Sequence, residues 1–392
     1  MSRSRLLITA LFSCFAACTG SQGPEGPAGD PGSGGAAGPQ GPAGSNATGS
    51  DDAIVGAVYI TSNDSAHNEV WALGRRADGS LVEPWAFATG GAGTAASLAD
   101  QGAIFLDAAA NELFAVNAGN STVSMMQIET DGSLTLVGAV ASGGTMPVSV
   151  TEANDVVYVL NAGDATHAPN IAGFNVTSSG LTSSSVSLGL STTVAASAAV
   201  AEISFTPDGK HLVATEKGTG KLDTYEIGSA GVATGPQPQT AAGGSTSTPY
   251  GFAFSGDTLL VTEAAGAVSS YAVSTTGALT AATTSATTHQ AAPCWMATAA
   301  NWAWAINAGS DTISGYTVAA DGTISLLASS GIAATTANKP LDAATSADGK
   351  FLYVLDSTDR SISGYAIAAD GSLTRMPDFV GLPQFSEGLA AR

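Results

Sequence analysis

Seven short apolar segments of the chain each end at a polar residue. They read AVYITSN, LFAVNAG, VVYVLNAG, HLVATEKG, LLVTEAAG, WAWAINAG and LYVLDST. Short apolar runs of this kind, bounded by turn-forming residues, predict buried β-strands. Alignment places one polar residue at an equivalent position in each segment: Asn63, Asn117, Asn161, Glu216, Glu263, Asn307 and Asp356. Two neighbouring copies therefore carry Glu where the others carry Asn or Asp.

A second landmark repeats with the same period of about 50 residues. It is a small or acidic residue followed by glycine, at Gly79, Gly132, Gly180, Gly231, Gly277, Gly322 and Gly371. Such a glycine fits a hairpin turn that needs positive φ. Four strand-like pieces occur in each repeat, as in YGFAFS, TLLVTE, AVSSYAV and ALTAATTS. This pattern predicts an all-β fold, a seven-bladed β-propeller of four-stranded blades.

The two ends of the repeat region complement each other. The first repeat begins at its second strand, AVYITS, and the chain ends in SEGLAAR, which matches a first strand. We therefore expect the C-terminal strand to complete blade one and close the ring, because an open propeller would leave unpaired strand edges.

Composition narrows the function classes. The chain has 32 Asp and Glu residues against 12 Lys and Arg residues, a formal net charge of −20, so nucleic acid is not an expected partner. No P-loop, nucleophile-elbow or HExxH motif is found, and neither a cofactor nor a metal is expected. His167 and Asp164 lie together in one loop, which is only a weak signal for metal binding.

The N-terminus has the pattern of a targeting segment. Residues 1–18 combine two arginines with a short apolar stretch that ends at Cys18, which resembles a bacterial lipoprotein signal. Residues 19–50 carry glycine at every third position through Gly44, a collagen-like linker that either spaces or trimerises the propeller at 51–392. The expectation is an exported chain, either lipid-anchored to the bacterial cell envelope or secreted, with a monomeric propeller.

The motifs FTPDGKHLVATEKGTGKLDTYEI, PYGFAFSGDTLLVTEAAGAVSSYAV and HQAAPCW resemble the seven-bladed propeller lactonase family. This family includes 6-phosphogluconolactonases and carboxymuconate cyclases, and the resemblance covers roughly residues 55–392. It implies the same fold and a possible lactone substrate. Cyclase members are thought to use a His, a Glu and arginines. Here only Glu216 matches by motif, and no arginine occurs between Arg76 and Arg360, which argues against a polycarboxylate substrate.

Two functions follow as hypotheses. In the first, the propeller hydrolyses a lactone, with Glu216 or Glu263 as the base at a channel mouth. In the second, it is a non-catalytic binding or scaffold propeller of the cell envelope. The other candidate residues are His289 for proton transfer, and, for substrate binding, Lys217, Gln290, Asn117, Asn161 and Asn307. The asparagines have an equally direct interpretation as turn formers, since their short side chains bond the local backbone.

Overall fold

A computed structural model describes residues 53–392 of the chain. The predicted signal segment, Cys18 and the collagen-like linker lie outside these residues. The described part is built from seven antiparallel sheets, and its helix content is one short segment, α1 (Ala195–Ala198). No helix in this part of the chain is long and apolar enough to cross a membrane.

Seven blades follow one another around the ring. The first contains β1 (Ile54–Thr61), β2 (Glu69–Arg76) and β3 (Leu81–Ala88). The second contains β4 (Ile104–Asp107), β5 (Glu112–Asn117), β6 (Thr122–Ile128) and β7 (Leu134–Ala141). The third contains β8 (Pro147–Ala153), β9 (Val156–Asn161), β10 (Asn170–Thr177) and β11 (Gly180–Gly189). The fourth contains β12 (Val200–Phe205), β13 (His211–Glu216), β14 (Lys221–Ile227) and β15 (Ala233–Thr240).

The remaining blades repeat this order. The fifth contains β16 (Pro249–Ser255), β17 (Thr258–Glu263), β18 (Ala267–Val273) and β19 (Leu279–Thr287). The sixth contains β20 (Pro293–Ala299), β21 (Trp302–Asn307), β22 (Thr312–Val318), β23 (Ile324–Leu326) and β24 (Ala334–Thr335). The seventh contains β25 (Pro340–Thr345), β26 (Phe351–Asp356), β27 (Ser361–Ile367), β28 (Leu373–Arg375) and β29 (Phe379–Val380). In blades six and seven the outer strand is split in two.

The C-terminal strand closes the ring as predicted. Strand β30 (Glu387–Ala391) pairs antiparallel with β1, with Tyr59 opposite Ala390 and Thr61 opposite Glu387. The innermost strands then touch in sequence around the centre, β30 to β4, β8, β12, β16, β20, β25 and back to β30. The closure gives blade one a fourth, innermost strand like that of the other blades.

The seven turn glycines also have the predicted conformation. Each lies at positive φ, from +73° at Gly231 to +113° at Gly180. The second strands are the most deeply buried elements of each blade, because both of their faces pack against neighbouring sheets. Aromatic residues such as Tyr158, Trp304 and Tyr353 are fully buried there and fill the space between blades.

Candidate functional site

The aligned polar residues are buried at the ends of the second strands. Asn117 is typical: its Oδ1 accepts hydrogen bonds from Thr89 Oγ1 at 2.7 Å and Asn68 Nδ2 at 3.0 Å. Its Nδ2 donates to Ser124 Oγ at 2.7 Å. Asn161 similarly accepts from Ser142 Oγ at 2.6 Å. Each asparagine therefore ties its own blade to the segment that arrives from the preceding blade, which is a structural role.

Blade one departs from the alignment by one residue. Tyr59 pairs with Ala72, as Tyr158 pairs with Gly173 in blade three, and the residue three positions later is Ser62. The amide of Ser62 donates to the carbonyl of Glu69 at 2.8 Å, so Ser62 rather than Asn63 takes the equivalent position. Asn63 follows it at φ +49°.

Glu216 makes four hydrogen bonds inside its blade. Its Oε1 accepts from Ser191 Oγ at 3.0 Å and from the Thr192 amide at 2.9 Å, and its Oε2 accepts from the hydroxyls of Thr192 and Thr219 at 2.5 Å each. Burial acts to raise the pKa of Glu216, but the hydrogen bonds from Thr192 and Thr219 outweigh it and hold the pKa below its usual value. Burial and the neighbouring Glu216 charge raise the pKa of Asp223 to about 6.

Glu263 has a separate set of partners in the next blade. Its carboxylate accepts from the Gly243 amide at 3.1 Å, Ser269 Oγ at 2.7 Å and Ser285 Oγ at 2.6 Å. The expectation that Glu216 and Glu263 face one channel mouth is therefore not met. Each carboxylate instead bonds the incoming linker of its own blade, as Asn117 and Asn161 do. The catalytic role of Glu216 and Glu263 stays a prediction, and their hydrogen-bonded geometry does not support it.

The remaining sequence candidates lie in the loop between blades five and six and at the end of β21. His289 is exposed at φ +56° in the loop between β19 and β20. Gln290 is half-buried and bonds Thr312 Oγ1 and the Ser330 carbonyl at 3.2 and 3.1 Å. Asn307 donates to Ser314 Oγ at 3.0 Å. These contacts hold loops together and bring none of the three to the channel.

The loop pair His167 and Asp164 forms an exposed turn. His167 Nδ1 lies 2.9 Å from Asp164 Oδ1, which also accepts the amides of Thr166 and His167. Within residues 53–392, no group of three or more His, Cys, Asp or Glu side chains is arranged to hold a metal ion. His167 and Asp164 therefore form a local hydrogen-bonded turn.

Lys217 reaches the central channel because it follows Glu216 in the chain. Its ammonium donates to the carbonyl of Ala99 and lies 4.3 Å from the centre of the Tyr250 ring. Burial lowers the pKa of Lys217 to about 8, against the opposing charges of Asp100 and Glu387. Burial also raises the pKa of the Glu387 carboxyl to about 7. Lys217 is only 7% exposed, so this group is closed to solvent.

A segment of the linker between blades one and two plugs the channel. Gln101 Nε2 donates to the carbonyl of Met296 at 2.8 Å, and its Oε1 accepts the Met296 amide at 3.0 Å. The preceding carbonyl, of Asp100, accepts from Trp295 Nε1 at 2.6 Å. The plug separates the Lys217 side of the channel from the opposite side.

On the opposite side the channel is an open pocket with a volume of about 460 Å³. Its lining includes the later parts of the innermost strands, such as Phe254, Thr298 and Thr345, which lie at the end of each blade away from the aligned residues. Its lining also includes the buried polar residues Gln101, Glu202 and Asp342. Sequence reasoning missed both acids, although an acid in an otherwise apolar inner strand is a signal that could have found them.

Both acids are held by backbone amides. Glu202 Oε2 accepts from the Phe252 amide at 2.6 Å. The two oxygens of Asp342 accept from the amides of Ala343 at 2.8 Å and Leu389 at 2.9 Å. Glu202 is 6% and Asp342 3% exposed. Burial raises the pKa of both carboxyls well above the usual values, and the charge of Asp342 adds to the effect on Glu202.

Burial opposes the ionisation of each acid, so each can hold its proton to a higher pH than an exposed carboxyl. A protonated carboxyl can donate a hydrogen bond, and an ionised one can accept a proton. The arrangement therefore offers acid and base chemistry at the floor of an open pocket, which the hydrogen-bonded carboxylates of Glu216 and Glu263 do not.

Comparison with solved structures shows the same fold in several bacterial proteins. A putative 6-phosphogluconolactonase from Bacteroides fragilis is 16% identical, with a TM-score of 0.67, over 86% of this chain and 98% of that one. The periplasmic gluconolactonase PpgL of Pseudomonas aeruginosa is 17% identical, with a TM-score of 0.67 and the same coverage. At this identity the likeness shows the fold alone.

Comparison with curated protein sequences finds no match. The family model described as lactonase, 7-bladed beta-propeller, matches residues 89–386, which is most of the chain. The match covers six complete blades and the linker that plugs the channel. The chain therefore belongs to the seven-bladed β-propeller lactonase family.

Proposed function

We propose that this protein hydrolyses a lactone in the open pocket of its central channel. The observation that carries the proposal is the pair of buried acids, Glu202 and Asp342, at the floor of that pocket in a lactonase-family propeller. Lactone hydrolysis needs a base to take a proton from the attacking water and an acid to stabilise the carbonyl oxygen. Two buried acids that line one pocket supply both when one is protonated and the other is ionised.

The roles divide as follows. The protonated carboxyl donates a hydrogen bond to the lactone carbonyl, and the ionised carboxyl accepts the proton of the water that attacks this carbon. The proton is then delivered to the ring oxygen as the carbon–oxygen bond breaks, and an open hydroxy acid leaves. Glu202 is the better base, because both oxygens of Asp342 already accept backbone amides.

The test is a lactone panel assayed by proton release with the wild-type protein, Glu202→Gln and Asp342→Asn. We expect each substitution to lower kcat by roughly two to four orders of magnitude, since it keeps the shape and removes the proton transfer. Glu226→Gln is the matched control, because Glu226 is exposed on the outer half of its blade.

Including Glu216→Gln and Glu263→Gln separates the two candidate sites. Loss of activity only in these two variants, with folded protein and full activity in Glu202→Gln, would move the reaction to the predicted channel mouth. If the wild-type protein opens none of the lactones, the binding or scaffold function takes the place of hydrolysis.

We also propose that the protein works at the cell envelope. The sequence of residues 1–18, ending at Cys18, supports export and lipid attachment, and residues 19–50 then space the propeller from the membrane.

A further inference from the structure

We infer that the channel pocket accepts an uncharged lactone and rejects lactones that carry phosphate or carboxylate groups. The inference rests on the proposed function, because it concerns the substrate of the same pocket. It is carried by the distribution of charged side chains along the path from the pocket floor to its mouth.

The lining of the pocket holds no group that could pair with an anion. Among the described residues that line it, Glu202 and Asp342 are the charged side chains, and there is no Lys or Arg. Lys217 is separated from the pocket by the plug, where its ammonium bonds the Ala99 carbonyl. A bound phosphate would lose its water without gaining a cationic partner.

Two lysines lie at the same end of the propeller as the pocket mouth, and each is paired. Lys210 Nζ is 3.5 Å from Asp208, and Lys350 Nζ is 3.6 Å from Asp348. Both belong to turns between the first and second strands, and both lysine side chains are more than 70% exposed, at 73% and 71%. Asp348 also lies 3.9 Å from Arg75, and Arg392, which follows the pocket-lining Ala391, donates to Asn111 Oδ1 at 3.2 Å. These four cations therefore already have protein partners.

Blades two and three add negative charge at this end. Asp107 ends β4 beside the pocket-lining Ala108, and Glu152 lies near the end of β8. The two carboxyls are close enough to share a hydrogen bond, and burial, with the added effect of Asp107, raises the pKa of Glu152 to about 7. Asp155 lies next to them, and its amide donates to Glu152 Oε1 at 2.9 Å.

The pocket lining is thus acidic, and the cations near its mouth are already bound to protein groups. An anionic substrate meets repulsion during approach and has no partner after binding, whereas an uncharged lactone meets neither obstacle. In this respect the chain differs from a lactonase that recognises a phosphate group, because such an enzyme needs arginine or lysine in its pocket.

The experiment compares glucono-δ-lactone with its 6-phosphate as substrates of the full chain. We expect kcat/KM for the uncharged lactone to exceed that for the phosphorylated one by about tenfold or more, with the gap narrowing as salt is added. Equal or better hydrolysis of the phosphorylated lactone would overturn the inference while leaving lactone hydrolysis intact.

A variant that adds a cation tests the cause. Ala347 lines the pocket at its rim, so Ala347→Lys should raise kcat/KM for the phosphorylated lactone several-fold and leave the uncharged lactone within about twofold. No gain, in a variant that keeps wild-type activity on the uncharged lactone, would contradict the electrostatic argument.

Failure of the proposed function has a different signature. If neither lactone is hydrolysed, calorimetric titration of the same two compounds still decides the inference. Binding of the uncharged compound alone supports it for a binding pocket, whereas binding of the phosphorylated compound, or of neither, rules it out.

Discussion

Replacing Asp356 by asparagine should stabilise the protein at pH 8 far more than at pH 5. Asp356 is fully buried at the aligned position of blade seven, where its Oδ2 accepts from Ser363 Oγ at 2.6 Å and its Oδ1 has no partner among the described residues. Burial is the main cause that raises the pKa of this carboxyl from 3.8 to about 7. The protein therefore holds a neutral acid where three other blades have a neutral amide.

The sign of the pH dependence follows from proton binding. Between about pH 4 and pH 7 the folded protein keeps the Asp356 proton while the unfolded chain has released it, so the stability contributed by this group is lost as pH rises through that range. The gap between the two pKa values corresponds to at most about 4 kcal/mol at pH 8, and to about 2 kcal/mol at pH 5.

Asp356→Asn removes this loss of stability, and the new amide gains a hydrogen-bond partner. In blade six Asn307 Nδ2 donates to Thr312 Oγ1 and Ser314 Oγ at 3.1 and 3.0 Å. The equivalent residues in blade seven are Ser361 and Ser363, and the buried hydroxyl of Ser361 has no partner among the described residues. An amide at position 356 fits the same two hydroxyls.

The assay is urea unfolding of both proteins at pH 5 and pH 8. We expect the gain in unfolding free energy to be larger at pH 8 by about 2 kcal/mol. The reciprocal variant Asn307→Asp is the matched control and should lose stability as pH rises. A gain for Asp356→Asn that is equal at the two pH values, or a loss at pH 8, would refute the reasoning.

One deletion and two substitutions test other parts of the chain. Deleting residues 384–392 should lower the unfolding free energy by about 5 kcal/mol or more, because β30 supplies the inner strand of blade one, and an unchanged melting temperature would disprove the closure. Glu263→Ala should cost about 2 to 4 kcal/mol by leaving three donors unpaired, and a loss below 0.5 kcal/mol in thermal unfolding would contradict that role. Cys18→Ala should move the protein out of the membrane fraction, and unchanged size and fractionation would count against lipidation.

The fold could be predicted from the sequence because its signals are local and repeated. Glycines such as Gly79 and Gly371 mark the outer hairpins, since their turns require positive φ. The spare strand at the end, now β30, could be matched to the missing strand at the start. Neither argument needs to know how one blade packs on the next.

The site could not be predicted in the same way, because it depends on which side of a strand faces the channel. Side chains alternate along a strand, so Glu216 points into its blade and the next residue, Lys217, reaches the centre. The sequence alignment selected Glu216, the residue of this pair whose side chain points into the blade. Glu202 and Asp342 do line the pocket, but they come from inner strands in different blades, and only the closed ring places both on one pocket.

The two glutamates at the aligned position are explained by the linkers they hold. Asn161 reaches only Ser142 of the linker that enters its blade, through Oδ1 and Nδ2. Glu216, one methylene longer, reaches two successive linker residues, Ser191 and Thr192, as well as Thr219 on its own turn. To act as a base, Glu216 would have to give up the hydrogen bonds that lower its pKa. It would then hold the linker less firmly. The same longer arm lets Glu263 bond Gly243 and Ser285 across its blade. Clamping of linkers accounts for the aligned residues of blades two to five, whereas Asn307 and Asp356 bond the third strand of their own blades. The acids that line the pocket lie on the innermost strands.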